Sequence, residues 1–117
     1  MKTEVVEFPK IDDEVTYYIG TSAKDNFAVI DEGDDDDIWF HANKISSCHV
    51  LCKMPEGLNK KDKTTVLKRG ALLCKQHTAK LNNPATCDIM CAYIKDVEKT
   101  RTLGCVNVKN VIKNIKI

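Results

Sequence analysis

The chain has 117 residues, 43% hydrophobic and 30% charged, and its 18 Lys and Arg nearly cancel 17 Asp and Glu. That size and balance fit one globular domain with a real core. No apolar run approaches the roughly 18–20 residues of a membrane-spanning helix, and the acidic N-terminus has no apolar segment of the secretory kind, which points to the cytoplasm or nucleus. The near-zero charge conceals an asymmetry: residues 1–50 hold 12 acids and 4 bases, residues 51–117 hold 5 and 14. If folding keeps these sets apart, a basic face able to hold a polyanion results; if it interleaves them, they cancel.

Residues 1–14 show no clean period and contain Pro9 and the acidic run Asp12 to Glu14. They read as an N-terminal arm, with room for a short strand from Glu4 to Phe8, ahead of a domain over residues 15–117. Val15 to Ile19 is β-branched and aromatic, a strand stopped by Gly20. Thr21 to Asn26 leads into a short helical turn around Ala23 to Ile30. The acidic loop Asp31 to Asp36 lacks the EF-hand pattern and reads as solvated rather than metal-binding.

Asp37 to Met54 reads as two strands around the polar connection Asn43 to Ser47, because both arms alternate with period two. A hairpin symmetric about Ile45 pairs Asp37 with Lys53, Trp39 with Leu51 and His41 with His49. Cross-strand partners share a face. One face then holds Ile38, Phe40, Ala42, Cys48, Val50, Cys52 and Met54 and carries no charge. The other mixes Trp39, the two imidazoles and the Asp37–Lys53 pair. A slip of one residue would exchange the faces of one arm.

Pro55 and Gly57 break the chain. A helix follows from about Asp62 or Thr64, either able to cap it, to about Leu81, with Val66, Leu67, Gly70, Ala71, Leu73, Cys74, His77 and Leu81 on its apolar stripe. Gly70 within a helix costs roughly 1 kcal/mol against Ala and predicts close packing on the sheet. His77 reads as a satisfied core histidine. Thr86 to Ile94 is a strand, Lys95 to Leu103 a basic connector, and Cys105 to Val108 with Val111 to Ile117 a final hairpin. The fold class is α+β, a mostly antiparallel sheet with one main helix packed on one face. The six cysteines fall mostly in apolar segments, and in a reducing compartment they read as small buried hydrophobes.

The motif Asp37-Ile38-Trp39-Phe40-His41, followed by Ser46, Ser47, His49 and Val50, resembles the NFACT-R domain family. This domain ends the NFACT proteins of ribosome-associated quality control and also stands in small eukaryotic proteins that add a coiled coil. Upstream, Gly20, Ala23 and Asn26 are similar to the family's Gly–x–x–Ala–x–x–Asn stretch, and Val66 to Lys75 resembles the family helix. The similarity spans about residues 15 to 117. The family often carries Arg after the upstream Gly, where this chain has Thr21. The resemblance implies a non-enzymatic domain that binds RNA, tRNA or rRNA, with DNA as a second ligand class, in a translation-linked setting and without cofactor or metal.

Within the chain the candidate nucleic-acid contacts are Trp39, His41, His49 and Lys53, with Lys68, Arg69, Lys75, Lys99 and Arg101 as an electrostatic tier. Trp39 has two readings: an exposed platform on which a base stacks, worth about 1–3 kcal/mol, or a core residue under a helix. The His pair likewise either contacts the ligand or orders the hairpin through its own hydrogen bonds. The lysines and arginines supply attraction independent of sequence. Asp37 and Lys53 form a cross-strand ion pair, worth little if exposed. Two competing classes remain. A protein-interaction module could dock a ribosome-associated partner through the same aromatic and basic face. A His-dependent or metal-assisted hydrolase would need a third ligand or a nucleophile motif that the sequence lacks.

Overall fold

The structure is a computed structural model describing residues 1–117. In chain order it contains β1 (Lys2–Phe8), β2 (Asp13–Gly20), α1 (Ala23–Asp31), β3 (Ile38–Ala42), β4 (His49–Cys52), α2 (Lys60–Gln76), β5 (Asp88–Tyr93), β6 (Val97–Lys99), β7 (Val106–Val108) and β8 (Lys113–Lys116). Six strands form one sheet in the order β1-β2-β4-β3-β5-β8, and β6 and β7 form a separate two-stranded ribbon. Every pairing is antiparallel, so the α+β class stands. No helix is long and apolar enough to cross a membrane.

The central hairpin has the expected register, with Ile38 opposite Cys52, Trp39 opposite Leu51 and Phe40 opposite Val50. No tight two-residue turn sets it. Two side chains do: Ser47 Oγ accepts from the Ala42 amide at 2.9 Å, and Thr78 Oγ1 accepts from the Cys48 amide at 3.1 Å. Lys44 at the tip has φ of 66°, in the left-handed region.

The uncharged face of the hairpin packs under α2. Ile38, Phe40, Val50 and Cys52 join Val66, Leu67, Ala71, Leu73 and Cys74 in the larger core cluster. Tyr17 from β2 is fully buried there and its hydroxyl donates to the Val66 carbonyl at 2.8 Å, fixing the helix over the sheet. Gly70 explains the close approach: a Cβ at that position would lie 2.3 Å from Phe40 Cζ.

The sheet's second face is covered as well. Val29 of α1 and Val97 of β6 pack with Trp39, Leu51, Ala92 and Ile94 in a second core, flanked by Val106 and Val108 of β7. Three features hold this cover in place. Gly20 lies so close under α1 that a Cβ would sit 2.9 Å from the Asp25 backbone. Gly104, at φ of 80°, would bring a Cβ 2.7 Å from Ala23 Cα. The Asn26 carboxamide, with its nitrogen turned toward the strand, donates to the Gly20 carbonyl at 2.7 Å. The Gly–x–x–Ala–x–x–Asn stretch is therefore a clasp for α1.

Several boundaries differ from expectation. The short strand allowed for at Glu4 to Phe8 is present but begins at Lys2, so that the N-terminal arm is an edge strand fully paired with β2 from Lys2–Ile19 to Phe8–Asp13. An edge strand bonded on one side and exposed along most of its length needs little hydrophobic alternation, which is why its period is faint. The main helix begins after Asn59, whose side chain accepts from the Asp62 amide at 2.8 Å, rather than at Asp62 or Thr64. It ends at Gln76 instead of Leu81, because Thr78 Oγ1 turns back to the Cys74 carbonyl at 2.8 Å. His77 accordingly leaves the stripe, becomes the C-cap, and sits 3.8 Å from the Glu4 carboxylate. The basic connector contains β6, and the expected final hairpin does not form: β7 pairs with β6, while β8 crosses to the sheet edge beside β5.

Candidate nucleic-acid interface

The β3–β4 ladder ends at Phe40–Val50, so His41 and His49 lie just past it, at the tip end of the hairpin. His41 is half-buried, and His49 is only 3% exposed. Their rings meet edge to face, 4.9 Å apart at 88°. Trp39 lies beneath both. It stacks on His41 at 5.5 Å with 10° between planes, and its indole Nε1–H donates to His49 Nδ1 at 3.2 Å. His41 Nδ1–H donates to the Ala42 carbonyl at 2.7 Å. Burial holds both imidazoles below the ordinary histidine range, His49 down to about 3, with the neighbouring His41 adding to the effect. Both rings are neutral near pH 7.

Trp39 is therefore not an exposed platform. It is fully buried, covered by α1 and the β6–β7 ribbon rather than by the main helix. No base can stack on it directly; its role is to support the two imidazoles.

These side chains floor a cleft of about 380 Å³, walled by Met90, Val106, Val108 and the tip residues Lys44, Ile45 and Ser46. A second hollow adjoins it and shares Asn26, Ser46, Ser47, Gly104 and Cys105; it is completed by Ser22 at the start of α1 and by His77 and Thr78 past α2. Neither hollow has an acidic residue in its wall. The opposite end of the hairpin is the reverse. There a wider hollow is lined by the run Asp34 to Asp37 and by Glu56.

Lys53 belongs to that acidic end, not to the imidazoles. Its ammonium lies 2.5 Å from Asp37 and 3.1 Å from Asp34, and it donates to the Glu32 carbonyl. Asp37 is buried, at 6% exposed, and also accepts from the amides of Asp34 and Met54. Asp37 is thus a structural fastener, chiefly through the two amides it satisfies, and Lys53, held against Asp37 and Asp34, has no charge to spare for a phosphate.

The electrostatic tier divides similarly. Lys68 and Arg69 are exposed and lie with Lys60 and Lys61 on the solvent side of α2, and none of the four is in an ion pair. Arg101 is likewise exposed and unpaired, two residues from Leu103 in the wall of the adjoining hollow. Lys75 donates to the carbonyls of Ala85 and Ile117. Lys99 is bound to Asp31 and lies 5.2 Å over the Phe27 ring. Sequence reasoning missed Lys44 and Met90 as cleft residues. Lys44 carries no local signal, and Met90 enters only through the β3–β5 pairing, in which it faces His41.

Residues 4–110 match the family model described as the NFACT protein RNA binding domain. The chain belongs to that family. Among curated proteins, the Coiled-coil domain-containing protein 25 homolog of Dictyostelium discoideum is 31% identical over 97 residues, covering 82% of this chain and 47% of that protein. Coiled-coil domain-containing protein 25 of Danio rerio is 45% identical over 42 residues, 36% of this chain and 20% of that protein. The mouse protein of the same name is 32% identical over 72 residues, 62% and 33%. The chain thus spans about half, or less, of the length of these relatives. Among solved structures, the C-terminal region of the fibronectin/fibrinogen-binding protein from Streptococcus suis has the same fold, with a TM-score of 0.72 at 18% identity over 88% of this chain and 40% of that one.

Proposed function

We propose that this NFACT-R domain is a non-enzymatic RNA-binding module, with tRNA or rRNA as its ligand, acting in a translation-linked setting such as ribosome-associated quality control. The surface we assign to RNA is the tip end of the central hairpin together with the outer side of α2. The observation that carries this reading is the charge distribution: in a chain with 17 acids, the two adjoining hollows at the tip have none in their walls, and the unpaired Lys68, Arg69, Lys44 and Arg101 lie on or near this end and the helix beside it. A polyanion is repelled from the Asp34–Asp37 end and accepted at the tip. The family's description as an RNA-binding domain supports the same reading.

The test is fluorescence anisotropy of the intact chain with labelled tRNA and single-stranded RNA across a salt series. Binding is expected to weaken steeply with salt, since each neutralised phosphate releases counterions. Reversal of Lys68 and Arg69 to Glu, and separately of Lys44 and Arg101, is expected to lower affinity and flatten the salt slope. A folded chain that binds neither RNA at low salt would overturn the proposal, and salt-insensitive capture of a ribosomal protein would replace it with the protein-docking alternative.

A further inference from the structure

The two imidazoles at the cleft floor are not equivalent, and their neighbours fix the difference. His49 Nδ1 accepts from the Trp39 indole N–H, so the neutral ring carries its proton on Nε2. His41 Nδ1 faces the Ala42 carbonyl, which can only accept, so that nitrogen holds the proton and Nε2 is a bare lone pair. Neither Nε2 has a hydrogen-bond partner in the protein, and no side-chain nitrogen or oxygen that is sealed from solvent lacks one. Both Nε2 atoms therefore keep contact with solvent, and both rings line the cleft, although His49 as a residue is only 3% exposed. The site thus presents one fixed donor and one fixed acceptor on rings 4.9 Å apart, beneath the apolar side chains of Met90, Val106 and Val108.

This pairing selects a class of ligand. A phosphate oxygen would meet one donor and one repelling lone pair, with no positive charge on either ring, since burial keeps both neutral. A flat, uncharged group whose edge carries a donor beside an acceptor satisfies both nitrogens and places its faces against the apolar wall. The Watson–Crick edge of any nucleobase has that arrangement, and it is free only where the base is unpaired. We infer that the His41–His49 cleft is a pocket for a single unpaired nucleobase held by its edge, with His49 Nε2–H donating to the base and His41 Nε2 accepting from it. The inference rests on the RNA-binding reading and deepens it: phosphates are held by the unpaired lysines and arginines, while the base enters the cleft. Trp39 is a positioning residue, setting the tautomer of one imidazole and supporting the plane of the other.

The test uses the intact 15N-labelled chain and long-range imidazole 1H–15N spectra, which report the protonated and bare nitrogens directly. Uridine, cytidine and adenosine are titrated separately, with ribose 5-phosphate as the probe for anion binding. The nucleosides are expected to shift Nε2 of both His41 and His49, and ribose 5-phosphate neither. His41→Phe keeps a flat ring on Trp39 and removes the acceptor; it is expected to keep the melting temperature and lose tenfold or more in nucleoside affinity. In parallel, anisotropy compares a single-stranded RNA with the same strand carrying abasic positions. If no nucleoside moves either ring, or ribose 5-phosphate moves them equally, the pocket assignment is overturned. RNA binding that survives that result, undiminished by His41→Phe, leaves the module RNA-binding through phosphate contacts alone. Nucleoside shifts in a chain that binds no RNA would keep the pocket and overturn the module's proposed function.

Discussion

His49 makes the stability of this domain depend on pH in a way that can be worked out before measurement. Its folded-state value is lowered from 6.5 to about 3 because the ring is buried and lies beside His41. The unfolded chain takes up a proton on this residue as pH falls through 6.5, whereas the folded chain cannot until about pH 3. Stability contributed by the neutral ring is therefore present above the unfolded value and is lost as pH falls below it, at up to about 1.4 kcal/mol per pH unit. Between pH 7 and pH 5 the loss from this one residue comes to about 2 kcal/mol, a large share of the roughly 5–15 kcal/mol that holds a typical domain together. His41, shifted in the same direction, adds to it. Ordinary carboxylates, with unfolded values near 4, contribute little in this window. The assay is urea unfolding followed by circular dichroism at pH 7, 6 and 5. The decisive variant is His49→Gln, whose side-chain oxygen can still accept from the Trp39 indole but which does not titrate. Its loss from pH 7 to pH 5 is expected to be smaller than the parent's by about 2 kcal/mol. A parent whose stability is flat over this range, or a variant that loses as much as the parent, would refute the placement of His49 as a buried neutral ring.

Other substitutions test the scaffold. Gly70→Ala adds a methyl group 2.3 Å from the fully buried Phe40 ring, and the overpacking cost of roughly 1–3 kcal/mol outweighs the helix-propensity gain of about 1 kcal/mol, so a lower melting temperature is expected. A rise in melting temperature would show that α2 stands further from the sheet. Asp37→Ala strips the amides of Asp34 and Met54 and the Lys53 ammonium of their shared acceptor, for a loss of about 3 kcal/mol in chemical denaturation, whereas Lys53→Met, which leaves the two amides satisfied, costs about 1 kcal/mol. Equal costs for the two would mean that the ion pair, not the amide hydrogen bonds, is the fastener. With a thiol-specific reagent on the native chain, exposed Cys105 is expected to react first and half-buried Cys87 second, while Cys48, Cys52, Cys74 and Cys91 wait for unfolding; mass spectrometry of the modified peptides gives the order.

Much of the central hairpin was legible because its two arms differ so sharply in face. Placing Phe40 and Val50 opposite each other leaves no charge on the side that receives α2, and a slip would have buried Lys53 or His49 there; the observed register is the one that avoids this. Gly70 was legible for a similar reason, since a helix tolerates glycine where something must come close. Trp39 was not settled by the sequence. Its neighbours in alternation, His41 and Asp37, are polar, and polar neighbours suggest an open face. What buries it are α1 and the β6–β7 ribbon, and the latter is a short pairing of Val97 with Val108 across an intervening loop that no local period announces. The same blindness to long-range pairing produced the false final hairpin, because Val106–Val108 and Lys113–Lys116 look like neighbours along the chain and join different sheets.

Covering both faces of the sheet has a consequence for recognition. A sheet packed on one side only can bind nucleic acid across its open face, as aromatic platforms do. Here α2 takes one face and α1 with the ribbon the other, so the sheet is left with its edges and its strand ends. The edges differ in charge: β1 and β2 bring Glu4, Glu7, Asp13 and Glu14 to one side, while β8 brings Lys113 and Lys116 to the other. The ends differ as well, and by strand direction rather than by sequence half. The acidic first half of the chain supplies the Asp34–Asp37 loop where β3 begins, yet within seven residues of Asp37 it supplies His41 and Lys44 in a wall with no acid. A strand of five residues separates the two environments by about 17 Å, more than a Debye length at physiological salt, so the acidic end does not cancel the tip. The chain past α2 closes the arrangement, since Thr78 binds Cys48 at the base of the tip and so anchors the end of the cationic helix beside the cleft. On the proposed reading, the unpaired cations would supply attraction that any polyanion feels, and the neutral imidazole pair on the other face of the sheet would sort by the edge of a base.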